Sequence, residues 1–185
     1  MTRRPLVAVV GDGNVEDGDP KYLAAREIGR LLVDAGARLF CGGLGGIMEA
    51  AARGAHDSVN YREGDTIGLL PGFDPNQANK WVDIAIPTGL DHLRNGLVAN
   101  ADCVIAIGGG AGTLSEIAFA WMCNRPVISV DCEGWSGKLA GVALDTRRET
   151  GHPSGGTVLA AKSASEAVAI ALDRLVSTAR RRGIE

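Results

Sequence analysis

The run Ile105-Ala106-Ile107-Gly108-Gly109-Gly110-Ala111-Gly112-Thr113-Leu114-Ser115-Glu116 constrains the fold of this chain more than any other stretch. It passes from a β-branched apolar segment through four glycines in five residues into a helical pattern. A strand that hands over to a helix in this way is one joint of a βαβ unit, and such units need a parallel sheet with helices as crossovers. Glycines at the joint let the backbone approach a ligand, and the free amides of a helix start favour an anion. Phosphate is the natural guest of such a turn.

The same joint recurs along the chain. Apolar strands are expected at 6–10, 38–41, 66–70, 82–86, 103–107, 126–130 and 157–160. Helical patterns lie between them at 20–35, 47–54, 90–100 and 114–123, a short one at 137–141, and a closing helix opened by Ser163 and Glu166. In the first helix Leu23, Ile28, Leu31 and Leu32 are available for the buried side, and Gly36 stops it. The expected fold is a single domain with one open, doubly wound α/β sheet of about seven strands, mostly parallel, with helices on both faces. Ligands of such sheets bind beyond the carboxyl ends of the strands.

Composition removes several functions. The chain has 185 residues and a net charge of −3, and its one basic run, Arg180-Arg181-Arg182, sits at the end of the last helix, where it suits the helix dipole. That is no nucleic-acid footprint. No apolar run approaches the roughly 18 residues of a membrane span, and no secretory signal opens the chain, so a cytoplasmic protein is expected. Cys41, Cys103, Cys123 and Cys132 lack C-x-x-C spacing and read as small buried hydrophobes of a reducing compartment. His56, His92 and His152 fall in separate segments, so no metal site is expected.

All of the glycine-dense turns follow strands. They are Gly11 with Gly13, the run from Gly42 that includes Gly43, Gly45 and Gly46, then Gly72, Thr88 with Gly89, and Gly108 to Gly112. Together they would line one edge of the sheet, with Gly109, Gly110, Ala111, Gly112 and Thr113 as the principal phosphate turn. The dinucleotide fingerprint fails at its third glycine, because Gly11-x-Gly13 is followed by Glu16, and the second strand ends in Cys41 rather than an acid for a ribose. No Walker-type loop occurs either, since Gly137-Lys138 runs into Leu139.

Thr113 and Glu116 admit two readings. Thr-x-x-Glu is the pattern of a capping box, which would account for both residues structurally. A carboxylate one turn below a phosphate turn can equally hold ribose hydroxyls or assist cleavage at an anomeric carbon, where positive charge develops. In the 90–100 helix Leu93, Leu97 and Val98 form an apolar side at helical spacing, so Arg94 and Asn95 are expected to point elsewhere. That leaves Arg94 in solvent or, at this sheet edge, paired with a phosphate.

Three segments, the run from Gly42 to Glu49, Arg94-Asn95, and the run from Gly108 to Glu116, resemble in order and spacing the LONELY GUY family, long mislabelled as lysine decarboxylases. The resemblance extends from the first strand to about residue 145. It implies a Rossmann-like fold, a homodimer, and hydrolysis of the N-glycosidic bond of nucleoside 5′-monophosphates, with the family's catalytic arginine and glutamate at Arg94 and Glu116. Two features depart from those enzymes: Ile107 to Thr113 contains no proline, and Asn95 stands where they carry lysine. With Ile86-Pro87-Thr88-Gly89-Leu90, these features are more similar to the branch that includes molybdenum cofactor carrier proteins, which bind a phosphorylated pterin without known chemistry. The implied partner is a phosphorylated small molecule, either a nucleotide or the molybdenum cofactor, and no further cofactor is implied as a requirement.

Overall fold

The computed structural model describes residues 3–145 and 151–181, with side chains described as far as 176. The basic run at Arg180 to Arg182 therefore lies outside the described side chains. Seven strands form one sheet in the order β4-β3-β2-β1-β5-β6-β7. They are β1 (Leu6–Gly11), β2 (Arg38–Cys41), β3 (Thr66–Leu70), β4 (Ile84–Pro87), β5 (Cys103–Ile107), β6 (Val127–Val130) and β7 (Leu159–Ala161). Every pairing is parallel, so all the strands end on one edge of the sheet. The chain steps outward from β1 to β4 and then restarts beside β1 with β5, which puts the topological switch point between β1 and β5.

Alternation along the strands sorts the core into two layers. Val7, Val9, Ile105 and Ile128 face α1 (Pro20–Asp34), α2 (Ile47–His56) and α6 (Ala164–Arg181). Ala8, Val10, Val104 and Val127 face α3 (Asn95–Ala99) and α4 (Ala111–Met122). A short helix α5 (Trp135–Leu139) follows β6. The α1–α2 contact rests on two glycines: a Cβ on Gly29 would stand 1.9 Å from the Ala51 carbonyl oxygen, and one on Gly54 only 1.7 Å from that of Arg26. Backbone meets backbone there, and no side chain fits between.

Several element boundaries differ from expectation for local reasons. The β4 strand starts at Ile84 rather than Val82; just before it the Asp83 amide donates to the Thr66 carbonyl at 3.1 Å, while the Asp83 side chain accepts from the Tyr61 hydroxyl at 2.6 Å and the amides of Gly64 and Thr66 at 3.0 and 3.1 Å. The expected 90–100 helix is split into a 3-10 turn (Asp91–Arg94) and α3, and Asp91 has the left-handed φ of 47°, which a regular helix start does not tolerate. β7 is shorter than expected, α2 runs on to His56, and α5 begins at Trp135. Leu23 lies half exposed on α1 rather than in the core. Among the described residues no helix is long and apolar enough to cross a membrane.

Candidate functional site

The glycine loops do meet at the carboxyl edge, but they have different jobs. The Asp12-Gly13 turn after β1 lies between the loops of β2 and β5. Ile47 donates its amide to the Asp12 carbonyl at 2.9 Å, and Gly46, at φ 64°, leaves so little room that a Cβ would stand 2.2 Å from that same oxygen. Gly45 faces the Gly13 carbonyl, and Gly13 itself is exposed with open space above it. By contrast Gly11 and Gly43 pack against protein: their Cβ positions are filled by the Ile107 carbonyl and the Leu70 side chain. Gly72, Thr88 and Gly89 form a separate group beyond β3 and β4. Gly89 donates to the Gly72 carbonyl at 3.0 Å, the Thr88 hydroxyl donates to the Leu70 carbonyl at 2.7 Å, and Phe73 covers Gly89.

The β5 loop is anchored from α5. Ser136 accepts the Gly108 amide and donates to the Val130 carbonyl, both at 2.7 Å, while the amides of Trp135 and Ser136 bond to the carbonyls of Gly109 and Gly108 at 3.0 Å. The Gly108 amide is thus already used, and the open donors begin one turn later. The α4 helix starts at Ala111, its N-cap is Gly110, and no side chain caps it. The first amides of a helix have no partner within it, so this end keeps its full capacity for an anion. Gly110, Ala111 and Gly112 are exposed, and a Cβ at Gly110 would meet nothing within 4 Å. Beside the turn, Lys21 donates to Asp12 at 2.7 Å.

The capping-box reading of Thr113 and Glu116 is overturned. The helix begins earlier than Thr113, which is buried beneath Gly109, and Glu116 turns inward to Arg94. The expectation for Arg94 and Asn95 is also inverted: Arg94 is only 7% exposed and Asn95 5%, whereas Leu93 is 75% exposed and Leu97 48%. The 3-10 turn before α3 rotates the leucines outward and carries the arginine into the protein.

Arg94 Nη1 donates to Glu116 Oε1 at 3.2 Å and to Asn95 Oδ1 at 2.9 Å. Asn95 donates in turn to Ser115 Oγ at 2.9 Å, and Ser115 to the Gly112 carbonyl at 2.6 Å, so one hydrogen-bonded chain links the guanidinium to the first turn of α4. Arg94 Nε is buried without a partner. A buried donor of this kind is costly unless something accepts from it. Burial pushes the Glu116 carboxyl up to about 7, against the lowering influence of Arg94. A group poised there can take up or release a proton near neutrality. Burial likewise pushes the nearby Cys41 thiol up to about 11.

Gly42, Met48, Ser115 and Ser136 complete this arrangement; the sequence showed the first three only as members of its motifs, with no role of their own, and did not single out Ser136. A Cβ on Gly42 would stand 2.4 Å from Arg94 Nη2 and 2.7 Å from Met48 Sδ. Only the tertiary contact between the β2 loop and the residues after β4 makes Gly42 special. Cys41 and Cys103 are buried as expected, but Cys123 is exposed and Cys132 half-buried. Among the described residues no group of three or more His, Cys, Asp or Glu side chains is placed to hold a metal ion.

An all-parallel seven-stranded sheet, with glycine loops and a buried Arg–Glu pair gathered at its carboxyl edge, defines a Rossmann-like α/β protein. Residues 4–168 match the SLOG cluster4 family, and the chain belongs to that family. An uncharacterized protein of Archaeoglobus fulgidus is 36% identical over 125 residues, which is 67% of this chain and 78% of the relative. The structure of the molybdenum cofactor binding protein from the phototrophic bacterium Rippkaea orientalis is similar over 94% of this chain and 98% of its own, at 33% identity and a TM-score of 0.74. The molybdenum cofactor carrier protein of Chlamydomonas reinhardtii is similar over 95% of this chain and 99% of its own, at 28% identity and a TM-score of 0.72. The two structures are of the kind of protein that the sequence most resembled.

Proposed function

We propose that this protein binds the molybdenum cofactor, as a phosphorylated pterin, at the carboxyl edge of its sheet and carries it without chemical change. The phosphate sits on the amides of Gly110 to Thr113, and Arg94 supplies a second set of donors. The observation that carries this reading is the uncapped, exposed start of α4 linked to a buried arginine that still has an unpartnered N–H. The chain-long similarity to a molybdenum cofactor binding protein supports this ligand over other phosphorylated compounds. The resemblance drawn from the motifs also implies a homodimer, which we take as the working form.

A second reading, hydrolysis of a nucleoside 5′-monophosphate, is favoured by the direct contact of Arg94 with Glu116, the pair that the resemblance equates with catalytic residues. One experiment separates the two. Purified protein is titrated with molybdenum cofactor and, in parallel, incubated with AMP while free base is measured. Saturable cofactor binding with no base release supports the carrier. Base release that Glu116→Ala abolishes, without cofactor binding, supports the hydrolase. In the binding arm Gly110→Asp should weaken affinity at least tenfold by opposing the phosphate with a carboxylate. The thermal midpoint should hardly move, because the position is open and Asp is a good N-cap. Unchanged affinity in this variant would remove Gly110 from the site.

A further inference from the structure

A buried carboxylate stays ionised only where donors replace the water it has lost. The side chains of Asp83 and Glu116 are equally buried, each 8% exposed. Burial alone would raise Asp83, yet the Tyr61 hydroxyl and the Thr66 and Gly64 amides hold it below the usual carboxylate range. Glu116 has far less help: among the described residues only Arg94 donates to it, through a single bond of 3.2 Å. Burial therefore prevails and pushes its carboxyl up to about 7. The donor is itself shared, since Arg94 Nη1 also bonds to Asn95 Oδ1 at 2.9 Å. This pair borders the open start of α4, because Asn95 and Ser115 link it to the Gly112 carbonyl, and a Cβ on Gly112 would stand 3.9 Å from Asn95 Nδ2. The other titratable groups nearby are neutral or engaged elsewhere. Burial keeps the Cys41 thiol neutral by pushing it up to about 11, and Asp12 is paired with Lys21 at 2.7 Å. Glu49 stands by Gly45, and Asp91 and His92 are exposed and 3.8 Å apart.

We infer that Glu116 takes up a proton from solvent when an oxyanion settles on the start of α4, so that the site loads an anion together with a proton and lets it go as pH rises. The inference rests on the anion site proposed above and adds how its occupancy is controlled. A bound dianion and an ionised Glu116 would be two like charges around one guanidinium, in a place where little water screens them. A carboxylate that gains an anionic neighbour holds its proton more tightly. Linkage is reciprocal, so the proton that the anion favours must in turn favour the anion. The sign follows from the ligand-free carboxyl. Below about pH 7 Glu116 is already neutral and the anion binds without a proton; above it, binding has to bring one in, and affinity falls with pH. Neutral Glu116 also leaves the charge of Arg94 to the ligand, while Asn95 keeps hold of Nη1 in either state. The backbone amides of α4 do not titrate, so the pH response belongs to the side chain.

The probe is sulfate, which stays doubly charged over the range used, titrated by calorimetry into the full chain at constant ionic strength. Wild-type affinity should fall roughly tenfold between pH 6 and 8.5, whereas Glu116→Gln, which cannot ionise, should give a flat profile. Runs at pH 7.5 in two buffers of different ionisation enthalpy should show the wild type taking up about half a proton per sulfate, a measurement that needs no variant. Glu116→Gln should take up none. A flat wild-type profile without proton uptake overturns the inference, and so does uptake that persists in Glu116→Gln. Failure of sulfate to saturate the protein at any pH overturns it as well. Molybdenum cofactor titrated in parallel tests the carrier separately. Proton-coupled sulfate binding without cofactor binding removes the carrier and leaves this inference standing, and cofactor binding with pH-independent sulfate affinity does the reverse.

Discussion

Gly42 has no side chain because Arg94 occupies its space. The guanidinium lies where a Cβ would be, and both near atoms, Arg94 Nη2 and Met48 Sδ, are the ends of flexible side chains. Gly42→Ala should therefore cost little stability, about 1 kcal/mol by the scale of small overpacking, while displacing the guanidinium. Cofactor affinity should fall about tenfold, a loss of the size expected for one misplaced charged hydrogen bond. Denaturant titration and equilibrium binding on the same sample check both halves, and an affinity equal to wild type would show that the position of Arg94 is immaterial to the ligand. The sequence displayed Arg94, Glu116 and the glycines as motifs. It did not display their contact: the capping-box spacing of Thr113 and Glu116 was an equally good local explanation, and only burial of Glu116 against Arg94 decided between them.

At the scale of elements, the α1–α2 crossing is the least forgiving part of the fold. A Cβ on Gly54 would stand 1.7 Å from a backbone carbonyl oxygen of α1, and a backbone cannot step aside as a side chain can. Gly54→Ala should destabilise the protein by about 3 kcal/mol, the upper end of overpacking costs, even though alanine is the better helix former. Urea unfolding measures it, and a neutral or stabilising effect would mean the helices simply separate. Helices and strands were legible here because β-branched runs alternate with 3.6-residue periodicity. Their ends were less so. β4 began two residues later than its apolar run, and the left-handed Asp91 broke one expected helix in two, with Leu93 and Leu97 outward and Val98 kept in the core.

For the whole molecule, the buried charges predict an uncommon pH profile. Burial raises the Glu116 carboxyl from 4.5 to about 7. Below pH 4.5 it is neutral both folded and unfolded. Between about 4.5 and 7 only the unfolded chain ionises, so the folded state loses stability as pH rises, and above 7 the loss is complete. The total is on the order of 3 kcal/mol at 1.36 kcal/mol per pH unit. Asp83 and Asp102 act with the opposite sign. Burial alone would raise them, but the Tyr61 hydroxyl with the Thr66 and Gly64 amides holds Asp83 below the usual carboxylate range, and the Arg3 guanidinium with the Leu6 amide does so for Asp102. Their contribution is present above the ordinary aspartate range and lost as pH falls through their own lower values. Stability to urea should therefore peak near pH 5 and decline toward pH 7, and Glu116→Gln should flatten the decline. A wild-type profile that rises from pH 5 to 7 would mean that Glu116 is ionised in the folded protein throughout.

The sequence by itself determined the parallel sheet, the order of its elements and the presence of glycine-dense turns after the strands, because each is written in local periodicity and in glycines next to apolar runs. The family relationship was equally legible, carried by short motifs whose spacing survives without any knowledge of contacts. Tertiary structure alone decided which glycines stay open to solvent and which merely make room for a neighbour, that Arg94 is buried beside Glu116, and that Leu93 and Leu97 face outward. Those outcomes depend on which distant segments share a volume, and a pattern read along one chain does not contain that information.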